Sequence, residues 1–189
     1  MTIKYACLLL VLLPLVAANG SSLEDVLGAV DTVQDVPRRY TETRVTPKLR
    51  EPLLVSGEVV FRSDGSLVKT IDAPVNEVIT ISAQSVILSR NGKARELPFS
   101  RQSGVRELYQ GIRAALEADV ATLERLFYTE LLMSGDSWEL VCTPRSAGLQ
   151  RELQQLSVTG SAGAVSGVLV KQSEDRWQKI EFLPDDDPL

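Results

Sequence analysis

The sequence of 189 residues contains no histidine. Without imidazole, a Ser-His-Asp or Cys-His catalytic arrangement is excluded, and so is any metal site that needs a histidine ligand. The sequence also lacks the G-x-S-x-G motif that presents the nucleophilic serine of α/β-hydrolases. The carboxylates from Glu107 to Glu124 are interpreted as a solvated face. We therefore expect no catalysis, no metal and no cofactor, and a secreted hydrolase is the least favoured class of function.

Cysteine and positive charge are also scarce. Cys7 and Cys142 are the two cysteines, and Cys7 lies in an N-terminal segment that we expect to be removed, which leaves no intrachain disulfide. Cys142 alternates with Trp138 and Leu140, which favours a small buried residue over a reactive thiol. The net charge of −5 lacks the basic excess that phosphate contacts require, so we expect no nucleic-acid partner. The acidic run at 185–187 predicts a solvated tail.

The N-terminal segment has the features of a secretory signal peptide. Lys4 precedes an apolar run from Leu8 to Val16, and small residues follow it. The run is too short to anchor the chain in a bilayer, which takes about 20 apolar residues. We expect cleavage after Ala18, with residues 1–18 as the signal peptide and residues 19–189 as a single exported domain.

Hydrophobic periodicity predicts helices in two regions. An apolar face from Leu23 to Val33 predicts a first helix, which a capping box of Ser21 and Glu24 would open. A second face from Val105 to Leu116 predicts a longer helix with Ser103 as its cap. Asp119 would cap a short further turn.

Period-two alternation predicts strands between and after these helices. It begins at about Arg38, and tight turns are indicated at 63–66 and at Asn91-Gly92. Further strands are predicted at 76–81, 85–90, 94–97, 127–133, 138–143, 154–160, 163–171 and 177–182. Short spacing and tight turns indicate antiparallel pairing. We predict an α+β fold in which a strongly curved antiparallel sheet, an incomplete β-barrel, is covered by a helical lid.

Four segments resemble the periplasmic outer-membrane lipoprotein carrier family, the LolA-like proteins. The first three are the hairpin from Gly57 to Thr70, the strand pair around Val78–Ile81 and Val86–Leu88, and the run from Gly135 to Pro144, which is similar to the family's W-x-L-x-L-x-P strand. Leu156–Gly160 resembles the strand after it. The resemblance spans nearly the whole chain beyond the signal peptide and carries no catalytic signature. Few aromatic residues and the turn at Ser63-Asp64-Gly65 set the chain apart as a distant branch.

The resemblance implies a periplasmic carrier without catalysis. Its cargo would be acylated, a lipoprotein or a glycolipid, held by its acyl chains in an apolar cavity between lid and sheet. Its partners would be an inner-membrane exporter and an outer-membrane acceptor, and the carrier itself would be a monomer. The alternative is a regulatory, lipid-sensing and protein-binding module related to envelope-stress regulators, although those proteins usually carry a second domain.

Candidate cavity residues follow from the alternating strands and the second helix. Taken singly, each is more often ordinary core, because alternation shows only that a face is buried. Arg62 is a lid-related candidate, since the family holds its lid with an arginine near this hairpin; an exposed strand-end charge is the preferred interpretation. The cavity candidates are Val59, Phe61, Ile71, Ile79, Ile81, Ile87, Leu108, Ile112 and Leu116.

Overall fold

The computed structural model describes residues 22–30, 34–99, 104–161 and 163–184. One antiparallel sheet of 11 strands dominates it, and four helices accompany the sheet. In chain order the elements are α1 (Leu23–Gly28), β1 (Arg38–Val45), β2 (Leu53–Phe61), β3 (Leu67–Ala73), β4 (Glu77–Ile81), β5 (Ser85–Arg90), β6 (Lys93–Pro98), α2 (Gly104–Leu116), α3 (Val120–Leu126), β7 (Phe127–Ser134), β8 (Ser137–Pro144), α4 (Ala147–Gln150), β9 (Gln155–Ser161), β10 (Ala164–Ser173) and β11 (Arg176–Phe182).

The chain begins in the middle of the sheet and fills it in two directions. The strand order is β6-β5-β4-β3-β2-β1-β11-β10-β9-β8-β7. We call β1–β6 the first half of the sheet and β7–β11 the second half. The halves join where Tyr40 of β1 pairs with Phe182 of β11. Helices α2 and α3 lie between β6 and β7 in the chain. Strands β6 and β7 are the two edges of the described sheet and do not pair with each other, so the sheet is an open barrel. The predicted fold class is confirmed.

Local sequence accounts for the element boundaries. Asn91 and Gly92 both have positive φ, at 51° and 72°, as a two-residue hairpin turn requires. This turn sets the pairing of Arg90, the last residue of β5, with Lys93, the first residue of β6. Asp119 caps α3 by accepting a hydrogen bond from the Thr122 amide, as predicted.

Helices α1 and α4 differ from the predictions, and some of the predicted helix positions lie outside the described residues. The capping box of α1 is formed by Ser22 and Asp25, one residue later than predicted, with both hydrogen bonds at 3.1 Å. Helix α1 ends at Gly28, and the predicted end at Val33 lies outside the described residues, as do Ser21 and Ser103. Helix α4 was not predicted, because four residues show no period; Ser146 caps it and Leu149 is buried.

The main hydrophobic core belongs to the second half of the sheet. Four helices pack on β7–β10 there, and α2 comes close because Gly111 faces Phe127, whose ring a Cβ at 111 would overlap. Cys142 lies in this core, where burial raises the pKa of its thiol to about 12. The first half has a small buried cluster of Tyr40, Val55 and Ile71. Over the rest of the inner face of the first half, a cavity separates the strands from helix α2.

Candidate functional site

A cavity of about 530 Å³ lies between α2 and the inner face of the first half of the sheet. Its size falls within the usual range of small-molecule sites, about 300–1,000 Å³. It reaches across the junction to β10 and β11, where Val168 and Ile180 line it. Most lining side chains are apolar, so the cavity is suited to a ligand with a large apolar part.

The floor of the cavity comes from alternate residues of β2–β5. Phe61 pairs with Leu67, Leu67 with Ile81, and Ile81 with Val86, so these four side chains form one row across the strands. Val59 and Ile79 lie two residues further along their own strands and face the same way. All six line the cavity.

The roof of the cavity is one face of α2. Val105, Leu108, Ile112 and Leu116 recur at spacings of three and four and line the cavity from above. Ala114 and Ala115 of α2 are fully buried in the core of the second half, against which Leu108, Ile112 and Leu116 also pack in part. Helix α2 thus packs in the core of the second half and forms the roof of a cavity over the first half.

Seven of the predicted cavity residues line this space: Val59, Phe61, Ile79, Ile81, Leu108, Ile112 and Leu116. Ile71 and Ile87 do not. Ile71 has the same phase as Leu67 but is covered by Tyr40 and Val55, so it is core. Ile87 pairs with Thr80 on the opposite face of the sheet from Val86. Both were assigned from alternation alone, which fixed neither the phase of β5 nor the extent of the cavity.

Arg62 also lies outside the cavity. It is exposed next to the β2–β3 turn, and its backbone amide bonds to the Ser66 carbonyl. The contact between α2 and this turn is made from the helix side, where the Tyr109 hydroxyl donates to the Gly65 carbonyl oxygen. Burial raises the pKa of Tyr109. The guanidinium of Arg113 packs over Gly65, whose φ is 79°.

A buried ionic cluster interrupts the apolar wall. The Glu42 side chain has no exposed surface; Arg44 donates to both of its oxygens at 2.9 Å and the Lys69 ammonium donates to Oε2 at 2.6 Å. Lys69 also lies 4.6 Å from the centre of the Tyr40 ring. Between these strands, Gly57 of β2 pairs with Tyr40 on one side and Ile71 on the other. Arg44, Lys69 and Tyr40 line the cavity, and Glu42 lies behind them.

For Glu42 and Lys69, the effect of burial on the pKa is opposed by the neighbouring groups of opposite charge. Burial alone would raise the pKa of Glu42, but hydrogen bonds and charge from Arg44 and Lys69 hold it below its ordinary value. Burial lowers the pKa of Lys69 although the nearby carboxylate opposes this. Burial and the charge of Glu42 raise the pKa of Tyr40. This cluster was not predicted from the sequence, although Tyr40, Glu42 and Arg44 alternate in one phase, a pattern that indicates an inward polar row.

The described residues contain no group of three side chains able to hold a metal ion. None of the described helices is long and apolar enough to cross a bilayer. The site consists of an apolar cavity with a polar cluster in its wall, which is suited to binding.

The family model described as outer membrane lipoprotein carrier protein LolA-like matches residues 17–175. Since this match covers most of the chain, the protein belongs to the LolA-like family, and the resemblance found in the sequence is confirmed. A comparison with curated protein sequences found no match.

Solved structures similar to this chain have low sequence identity to it. The LolA superfamily protein NE2245 from Nitrosomonas europaea is 8% identical with a TM-score of 0.44, covering 89% of this chain and 96% of the other. LprF from Mycobacterium bovis is 11% identical with a TM-score of 0.42, covering 88% and 94%. A chain of the MucA/MucB complex from Pseudomonas aeruginosa is 10% identical with a TM-score of 0.43, covering 85% and 55%.

Proposed function

We propose that this protein is a periplasmic carrier that binds acyl chains of lipoproteins or other lipids and moves them from the inner to the outer membrane without catalysis. The observation that carries the proposal is the apolar cavity of about 530 Å³ beneath α2, in a chain of the LolA-like family. On this proposal, residues 1–18 are a signal peptide and residues 19–189 a single carrier domain. An inner-membrane exporter and an outer-membrane acceptor are its partners, and it works as a monomer.

The energetics of the cavity support this function. Each methylene group gains about 0.8 kcal/mol on leaving water, so an acyl chain is held strongly by apolar walls alone. Protein interiors are normally filled to crystal-like density, and an unfilled space of this size forgoes those contacts. A bound acyl chain would restore them.

The first experiment is native mass spectrometry of the mature protein purified from the periplasm of its own host, followed by organic extraction. We expect an additional mass that the extraction removes and identifies as an acylated molecule. A protein that carries no lipid and takes up none from lipoprotein or glycolipid would contradict the carrier function. Copurification with a signalling protein instead would favour the regulatory alternative.

A matched pair of variants assigns the binding to the cavity. Ile81→Trp places an indole in the floor of the cavity and should abolish lipid retention. Ile87→Trp makes the same change on the opposite face of the same sheet and should leave retention unchanged. Equal loss in both variants would show that binding does not depend on this cavity.

A further inference from the structure

The charged side chains that line the cavity are all cations. Among the described residues these are Arg38, Arg44 and Lys69, and no aspartate or glutamate lines the same space. Glu42, which would neutralise one of them, lies behind the wall with no exposed side-chain surface. The interior of the cavity therefore has a positive potential, and the surrounding apolar walls strengthen it because they exclude water.

Two of these cations keep hydrogen-bond donors beyond those that Glu42 uses. Arg44 gives Glu42 two of its N–H groups, and Lys69 gives it one. A guanidinium and an ammonium each carry more donors than this. Because both side chains border the cavity, their remaining donors are available to an acceptor inside it. Arg38 contributes charge but is engaged elsewhere, donating to the Val165 carbonyl at 3.0 Å and lying 4.4 Å from the Phe182 ring centre.

The charged groups of Arg44 and Lys69 converge on Glu42, whereas Arg38 lies further along β1, opposite Val59 of β2. Arg44 pairs with Gln178, a second polar lining residue, and with Leu53 of β2. Glu42, on which both charged groups converge, pairs with Val55, six residues before Phe61 on β2, which corresponds to about 20 Å of extended strand. The row of Phe61, Leu67, Ile81 and Val86 contains no polar side chain. The charged groups of Arg44 and Lys69 are thus displaced along the strands from this apolar row.

We propose that the ligand of this cavity is an amphiphile with an anionic head group, a carboxylate or a phosphate, which Arg44 and Lys69 bind while the acyl chain extends toward Phe61 and Ile81. This inference rests on the proposed lipid-binding function and specifies its ligand class. Charge-assisted hydrogen bonds in a dry site are about twice as strong as neutral ones, so the head group should determine which lipid is retained.

The test uses single-chain probes that share one tail. Delipidated mature protein is loaded with the neutral dye Nile red, which is then displaced by hexadecanoate, hexadecyl phosphate, hexadecanol or hexadecyltrimethylammonium. We expect the two anions to displace the dye at concentrations at least about tenfold lower than hexadecanol, and the cation to be weakest. The ranking of the two anions distinguishes a carboxylate from a phosphate ligand.

Two variants that should change the preference for anions in opposite directions test whether this preference comes from the ionic cluster. Lys69→Met keeps the volume of the side chain and should reduce the preference for anions over hexadecanol to about twofold or less. Glu42→Gln removes the compensating carboxylate and should raise that preference. Hexadecanol binding reports in both variants whether the cavity is intact, and Glu42→Gln still tests the charge effect if Lys69→Met does not fold.

Equal binding of hexadecanoate and hexadecanol to the natural protein would overturn the anion preference and leave the lipid-binding function standing. Loss of hexadecanol and hexadecanoate binding to the same extent in Lys69→Met, with no change of preference in Glu42→Gln, would also overturn it. Failure of all four probes to displace the dye would instead contradict the proposed function itself.

Discussion

The two halves of the sheet carry similar apolar side chains but bury them differently. In the second half, Leu140 and Leu156 have no exposed surface, because four helices cover β7–β10. In the first half, Leu67 and Ile79 alternate just as regularly but remain partly exposed to a cavity. The strand pattern is the same in both halves. What differs is that helices fill the space above the strands in the second half and leave a cavity above them in the first.

Helix α2 shows how one element produces both environments. On its core side, Gly111, Ala114 and Ala115 allow close contact with the second half. On its other side, Leu108 and Ile112 face the cavity. Small residues let two elements approach and large ones hold them apart, so the helix can serve as core and as roof at once.

The largest expected effect tests this comparison directly. Leu156→Ala in the second half should lower the free energy of unfolding by about 2–5 kcal/mol, since it opens a new void in a filled core. Leu67→Ala, the same change in the first half, should cost about 1 kcal/mol or less, because that side chain already borders empty space. Urea unfolding of both variants measures the difference. Similar losses would show that the first half is packed as tightly as the second.

The same comparison shows what could be predicted from the sequence. Alternation and turn residues located β5 at Ser85–Arg90 and the end of α2 at Leu116, because these signals are local. Whether an inward face meets a helix or a cavity depends on tertiary distance, so Ile71 was placed in the cavity although Tyr40 and Val55 cover it. The ionic cluster was missed because its members lie on two strands that β2 separates.

The ionic cluster lies in the first half of the sheet around a fully buried carboxylate, and its loss should be the second-largest effect. Glu42→Gln leaves the buried Lys69 and the partly exposed Arg44 without their carboxylate and should lower the free energy of unfolding at neutral pH by about 3 kcal/mol. Since the folded-state pKa of Glu42 is depressed, its contribution is present above the unfolded pKa of about 4.5 and is lost as the pH falls through the lower folded value.

Urea unfolding of the natural protein and of Glu42→Gln at several pH values measures this contribution. The gap between them should narrow as the pH falls below about 4.5. Glu181→Gln, which removes an exposed carboxylate paired with Lys179, is the control and should leave stability nearly unchanged. A gap that stays constant with pH would indicate that the glutamine disturbs packing rather than charge.

The smallest effect concerns the link between the two halves through α2. Tyr109→Phe removes the hydroxyl that donates to the Gly65 carbonyl and leaves that buried oxygen without this donor. We expect a loss of about 1 kcal/mol in the free energy of unfolding. Because the core side of α2 is unchanged, the loosening should be local. Amide hydrogen exchange should accelerate at the β2–β3 turn and along α2, while β8 and β9 keep their protection.

Tyr128→Phe, whose ring is exposed, is the matched control. Acceleration of exchange throughout the second half would mean that this contact supports the whole core, and the two halves would then not differ in the way their packing indicates.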